Sequence, residues 1–197
     1  MKHIKLLLWI ALLSMAHSCG DGSNEINHFG ICDGYLEWST SDYILPYPTS
    51  SSHKVSQGNC GVISHYGSQQ YAYDYVMDTN DTIVASRAGT VTKIIENNVD
   101  GNGCPDANYV QIEHNDGSVA HYAHLTKNGA LVDKGDTVNQ GDNIGLAGNT
   151  GCSTDSHLHF VVYKNSTFEE SLPITFRNTS KNPRGLLKNT EYIANSS

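Results

Sequence analysis

The chain has 197 residues, 38% of them hydrophobic and 16% charged, an ordinary globular balance that supplies one domain with a real core. A formal net charge of −8 argues against nucleic acid as a partner. Any anionic polymer would have to be bound through a local site rather than by the field of the whole molecule.

The chain opens with Lys2 and Lys5 ahead of an apolar stretch from Leu6 to Ala16. That stretch is too short to span a bilayer as a helix but suits the h-region of a secretory signal, so residues 1–18 are excluded from the fold. Losing both lysines takes the formal charge from −8 to −10. The following "AHSC" resembles a bacterial lipoprotein cleavage site, with Ser18 directly before Cys19, although Ala16 and His17 depart from the usual residues. A lipid on Cys19 would attach the chain to a membrane, and plain secretion is the alternative. With Cys19 modified, Cys32, Cys60, Cys104 and Cys152 remain, an even number suited to disulfides in an oxidising compartment. Four cysteines allow three connectivities; Cys32 with Cys60 and Cys104 with Cys152 is the expected one, by proximity along the domain. No C-x-x-C supports a zinc–cysteine site.

Residues 19–54 are read as a tether and N-terminal strap, rich in Ser, Asn, Gly and Asp, with two prolines in "ILPYPTSSS" that discourage regular structure. Residues 55–165 form the domain proper. Short β-rich runs follow one another there: "TIVAS", "GTVTKII", "NYVQIEH", "SVAHYAHL", "DTV", "NIGLAG" and "HLHFVVY". Each is bounded by Gly, Asn or Asp, the pattern of an all-β, antiparallel domain with tight turns. "YVQIEH-NDG-SVAHYAHL" reads as a hairpin, and "DTIVASRAGTVTKI" is weakly echoed by "DTVNQGDNIGLAG". "AGNTG" is followed by Cys and Ser rather than by Lys and a helix, so it is read as a tight turn and not a phosphate loop. Residues 166–197, polar and rich in Asn, are taken as a C-terminal extension.

The chemistry concentrates at the last strand, "HLHFVVY", where His157 and His159 share a face about 7 Å apart while Leu158 points the other way. One imidazole of such a pair can ligate a metal while the other reaches the adjacent water or substrate oxygen. A lone H-x-H is weak, but His65 and Asp74 in "SHYGSQQYAYDYVM" and His124 in "HYAHL" also lie at ends of predicted strands. His121, three residues before His124, is expected to face the opposite side, and Tyr71 and Tyr73 to be core or groove wall. His114 is expected to bond locally beside the hairpin turn; His28 lies in the tether, and His3 and His17 in the leader.

Taken in order, "SHYGSQQYAYD", "TIVASRAGTVTKI", "NYVQIEHNDG", "HYAHL", "VDKGDTVNQGDNIGLAGNTG" and "HLHF" resemble the M23 zinc metallopeptidases, the lysostaphin and LytM-like endopeptidases of bacterial cell walls. The resemblance implies antiparallel sheets of the LytM/lysostaphin type, similar to a duplicated hybrid motif, with irregular extensions at both ends. It also implies one Zn²⁺ per chain held by His65, Asp74 and His159, with a fourth position open as in catalytic zinc sites. His124 and His157 would then be the catalytic histidines, accepting the proton of water and hydrogen-bonding the tetrahedral oxyanion. Many members of the family carry the first ligand four residues before the aspartate, where Gln70 stands here. The "SH-x-G" setting of a longer spacer selects His65, with His53 as the fallback.

The function so implied is hydrolysis of peptide cross-links in peptidoglycan by an exported monomer that is periplasmic, anchored to the outer membrane as a lipoprotein, or secreted. A non-catalytic wall-binding or hydrolase-regulating protein is the rival of a different class, opposed by the presence of all five residues. A protease of extracellular proteins with the same site is the other. A biotinyl or lipoyl carrier, suggested by the echoed turns alone, would have no use for the histidine set.

Overall fold

The computed structural model describes residues 32–104 and 106–196. The leader, Cys19, His28 and the first part of the tether lie outside the described residues. Ten strands are present among the described residues: β1 (Ser52–Gln57), β2 (Tyr73–Val76), β3 (Thr82–Val84), β4 (Gly89–Ile95), β5 (Asn108–Glu113), β6 (Val119–Ala130), β7 (Thr137–Val138), β8 (Asn143–Ala147), β9 (His157–Tyr163) and β10 (Glu191–Ile193). The sheet runs β10-β1-β2-β9-β6-β5-β4-β7, with β8 pairing both β3 and β6, and every strand pairing is antiparallel. No helix among the described residues is long and apolar enough to cross a membrane.

The core follows from strand alternation. Leu158, Phe160 and Val162 of β9 join Tyr73 and Tyr75 of β2, Ala120 and Tyr122 of β6, and Val110 and Ile112 of β5 in one buried apolar cluster. The intervening residues of the same strands, among them Asp74, Gln111, His121, Ala123, His157 and His159, point to the other face. That face carries the polar chemistry because the apolar positions are already used on the side that excludes water.

The "YVQIEH-NDG-SVAHYAHL" hairpin forms as β5 and β6, closed by the amide of His114 on Ser118 O at 2.8 Å with Gly117 at φ 82°. The two echoed units interlock: β3 pairs with β8 and β4 with β7, so each unit lends a strand to the other. The cysteines pair 32–60 and 104–152, as the sequence suggests.

Both extensions are more closely knit to the sheet than their composition implies. In the strap, Tyr43, Leu45 and Tyr47 enter the main core beside Ile174, Phe176, Leu186 and Tyr192 from the C-terminal segment. The amide of Leu45 donates to Asn178 Oδ1 at 2.8 Å and Tyr47 Oη to Tyr192 O at 2.8 Å. The C-terminal extension, expected to be irregular, is mostly so, but adds β10 to the sheet edge against β1.

Candidate functional site

Asp74 and His159 face one another directly across β2 and β9, and Ala123 of β6 sits opposite His159 on the other side. His65 arrives from a loop. The residues between it and Asp74 are gathered into a 3-10 turn over Gly67–Gln69, so a longer spacer still returns the histidine to the aspartate. His65, Asp74 and His159 are all buried, and one donor atom of each lies within 4.8 Å of the others. His65 Nε2 is 3.1 Å and His159 Nδ1 2.8 Å from Asp74 Oδ1, while His157 Nε2 stands at 3.9 Å. His53 is not part of this cluster; its ring bonds Val76 O and packs on Tyr47.

Each donor is oriented by a partner on its far side. His65 Nδ1 donates to Gly58 O at 2.9 Å, which turns the lone pair of Nε2 toward Asp74. Gln57 Nε2 donates to Asp74 Oδ2 at 2.9 Å and leaves Oδ1 facing the imidazoles. His159 has an oxygen at both ring nitrogens, Asp74 Oδ1 at 2.8 Å and Gln69 Oε1 at 2.6 Å. A neutral imidazole carries one proton and cannot satisfy both oxygens, so a cation is called for at Nδ1. Burial disfavours the imidazolium and lowers the His159 pKa despite the opposing pull of Asp74. A metal cation in place of that proton resolves the conflict. Consistent with this, His65 Nε2 is fully buried and lacks a hydrogen-bond partner. Burial pushes the Asp74 carboxyl up, but the imidazoles of His159 and His65 beside it outweigh this and hold the group well below the usual carboxylate range. Two imidazole nitrogens and one carboxylate oxygen fit one zinc ion, whose three-ligand sites keep a further position open.

His124 and His157 pack against each other beside this set, ring centroids 4.5 Å apart and planes tilted by 44°. His124 Nδ1 donates to Thr150 O at 2.7 Å and His157 Nδ1 to Asp155 O at 2.9 Å, so in both rings Nε2 is the free nitrogen. Burial, reinforced by repulsion from His157, lowers the His124 pKa to about 4, leaving it neutral near pH 7.

His121 does not face away, contrary to the expectation from its spacing. Strict alternation would put His124 on the core face with Ala120 and Tyr122. Instead His124 takes φ 66° and is the extra residue of a bulge, opposite the step from Asn108 to Tyr109. The bulge turns His124 onto the face of His121, hands the core position to Leu125, and brings both histidines into one cleft. His121 Nδ1 meets Gln111 Nε2 at 3.1 Å, the ring packs on Tyr109, and burial lowers its pKa to about 3. A second bulge, between Val55 and Gln57, aims Gln57 at Asp74. The His114 ring does not bond within its own hairpin as expected: Nδ1 meets Ala88 O, 26 residues away, at 2.8 Å. Gln57 and Gln69 carry no sequence signal of their own; the bulge in β1 reveals the first and the folded spacer the second.

The cleft holding all five residues except the buried His65 has a volume of about 750 Å³. A larger cavity of about 970 Å³ opens around Arg87 and Arg177, apart from the imidazoles. Its cations are engaged, Arg87 by Asp116 and Asp42 and Arg177 by Ser41 O and Gln140.

Residues 68–170 match Peptidase family M23, a span that includes Asp74, His124, His157 and His159 and begins three residues after His65. The chain is 30% identical over 129 residues to an uncharacterized metalloprotease of Buchnera aphidicola, covering 64% of this chain and 32% of that protein. A Haemophilus influenzae protein of the same description is 34% identical over 107 residues, 54% of this chain and 21% of the other. The chain thus spans a third or less of the length of these relatives. Among solved structures, the antimicrobial peptidase lysostaphin from Staphylococcus simulans aligns with a TM-score of 0.51 at 25% identity, over 68% of this chain and 51% of that one. The catalytic domain of a mutant of the prophage-encoded M23 protein EnpA from Enterococcus faecalis shares the fold, with a TM-score of 0.51, 23% identity and coverage of 66% and 93%.

Proposed function

The chain belongs to peptidase family M23, and from that premise we propose that it is a zinc-dependent endopeptidase that hydrolyses the peptide cross-links of bacterial peptidoglycan. The observation that carries the reading is the convergence of His65, Asp74 and His159 within 4.8 Å, with two further imidazoles presenting Nε2 beside them. The antimicrobial activity named for lysostaphin supports a wall substrate. The two disulfides suit an exported protein, and lipid attachment through Cys19 belongs to the same proposal.

In this reading His65 Nε2, Asp74 Oδ1 and His159 Nδ1 hold the ion. When bound, zinc supplies Lewis-acid activation of water and of the scissile carbonyl. His124 and His157 work on the protons. Neutral His124 accepts a proton at Nε2 from the attacking water, its ring fixed by Thr150 O. The proton gained at His124 Nε2 passes on to the leaving amine, while His157, its ring held by Asp155 O and Ser153 Oγ, hydrogen-bonds the developing oxyanion when it carries a proton at Nε2. The bulge at His124 is what lets two adjacent strands deliver both rings to one side of the bond.

Incubating purified peptidoglycan with the protein and identifying the released muropeptides by mass spectrometry tests this directly. Release of new amino termini from cross-bridges, abolished by chelator and restored by zinc, is expected. His124→Ala and His157→Ala should each lose about 10²- to 10⁴-fold in turnover while retaining zinc. Intact wall together with cleavage of an unrelated protein would reassign the substrate.

A further inference from the structure

The family match spans residues 68–170, yet a pocket of about 340 Å³ beside the cleft is walled entirely by segments outside it. Its walls come from the strap at Cys32 and Tyr35, the loop 57–63, and the segment 184–188 of the C-terminal extension. Gln57 and Ile63 line both this pocket and the cleft, so the two are continuous.

The chemistry of the pocket is unlike that of the surface at large. The chain carries 20 acidic against 12 basic residues, but no carboxylate lines this pocket, while Arg184 and Lys188 do. Both are exposed, and among the described residues neither has an ion-pair partner. Val62 and Ile63 of the loop and Leu187, next to Lys188, are 65%, 74% and 65% exposed, an uncovered aliphatic surface in the same pocket. Uncompensated cations beside such a surface are complementary to a ligand with an aliphatic stem and a carboxylate.

The pocket is also built in advance. Gly185 lies at φ +76°, where an added Cβ would come within 2.2 Å of Tyr73 Oη, so the segment is pressed onto the core. The amide of Leu186 donates to Tyr73 Oη at 3.3 Å and that of Leu187 to Tyr192 Oη at 2.9 Å. The Cys32–Cys60 disulfide ties the strap to the loop on the other side. Both walls are therefore fixed before any ligand arrives, which lowers the ordering cost of binding.

We infer that this pocket is a substrate subsite for a carboxylate-bearing, short aliphatic segment of the peptide flanking the scissile bond. Arg184 and Lys188 receive the carboxylate, and Val62, Ile63 and Leu187 cover the stem. The inference rests on the peptidase reading of the adjoining cleft, and it makes segments outside residues 68–170, the loop 57–63 and the C-terminal extension, the source of this selectivity.

The test compares purified peptidoglycan with the same material after its carboxylates are converted to carboxamides by carbodiimide and ammonia. Wild-type protein and an Arg184→Gln/Lys188→Gln variant are measured for co-sedimentation with each wall in the cold and for muropeptide release. The wild type should bind and cleave native wall better than amidated wall by roughly ten-fold, the scale of one charge-assisted hydrogen bond, through KM rather than kcat. The variant should treat the two walls alike, at the wild-type level for amidated wall. Equal treatment by the wild type, or discrimination retained by the variant, overturns the subsite. Binding that follows this pattern without any release from either wall would instead contradict the hydrolase reading and leave the carboxylate site standing.

Discussion

At the site, one oxygen atom organises three rings: Asp74 Oδ1 lies within 4 Å of His65 Nε2, His159 Nδ1 and His157 Nε2. What the sequence pattern supplies are those donors; what it hides are the groups that choose which atom of each donor faces inward. Gly58 O, Gln57 and Gln69 perform that choice for His65, Asp74 and His159. The i, i+2 spacing of His157 and His159 was legible because it follows from strand geometry alone. Gln69 was not, because its place under His159 depends on a 3-10 turn whose residues have no helical pattern. Partners of metal-ligating imidazoles typically govern affinity by 10- to 100-fold. Gln69→Leu should therefore weaken zinc binding by roughly that factor in chelator competition, while Gln69→Glu, which keeps an acceptor at the ring, should restore it.

Among elements, the two bulges and the "AGNTG" turn do more than connect strands. The bulge at His124 defeated the alternation argument for His121, since one residue at φ 66° reverses the parity of everything before it relative to Leu125. The turn, read from sequence as a simple reversal, is the support on which His124 rests. Thr150 O accepts from His124 Nδ1, and its hydroxyl accepts the amide of Asn108 at 2.9 Å and donates to Leu125 O at 2.7 Å, gripping both sides of the bulge. Thr150→Val keeps the shape but strands the Asn108 amide and the Leu125 carbonyl in a fully buried place. It should cost about 1–3 kcal/mol in denaturant unfolding, and lower kcat more than it raises KM.

For the whole molecule, the all-β architecture and the hairpin were readable because alternation and turn residues are local signals. The strap and C-terminal extension were not, because their contributions of Tyr43, Leu45, Tyr47, Phe176 and Tyr192 to the core are long-range and lack strand periodicity. The protein also buries an unusual set of imidazoles. Burial lowers His121 to about 3 and His124 to about 4, and lowers His114 and His159 as well. Unfolded histidines titrate near 6.5, so below that pH the unfolded chain binds more protons than the folded one. Stability from these groups is full above pH 6.5 and is lost as pH falls toward 4 and 3. Asp74 and Asp116, held below the carboxylate range, add their own loss once pH drops below about 4. Thermal melts of the metal-free protein should accordingly show Tm falling from about pH 6.5 downward, with zinc raising Tm at neutral pH and losing that gain as its ligands protonate. A flat Tm between pH 7 and 5 would contradict this burial of neutral imidazoles.

The central claim is that His65, Asp74 and His159 share one metal ion, and metal content by mass spectrometry of freshly purified protein measures it most directly. One zinc per chain is expected in the wild type and none in folded His65→Ala, Asp74→Ala or His159→Ala, with His124→Ala and His157→Ala unchanged. Zinc retained in full by any of the first three, or absent from the wild type after exposure to the ion, would contradict the account.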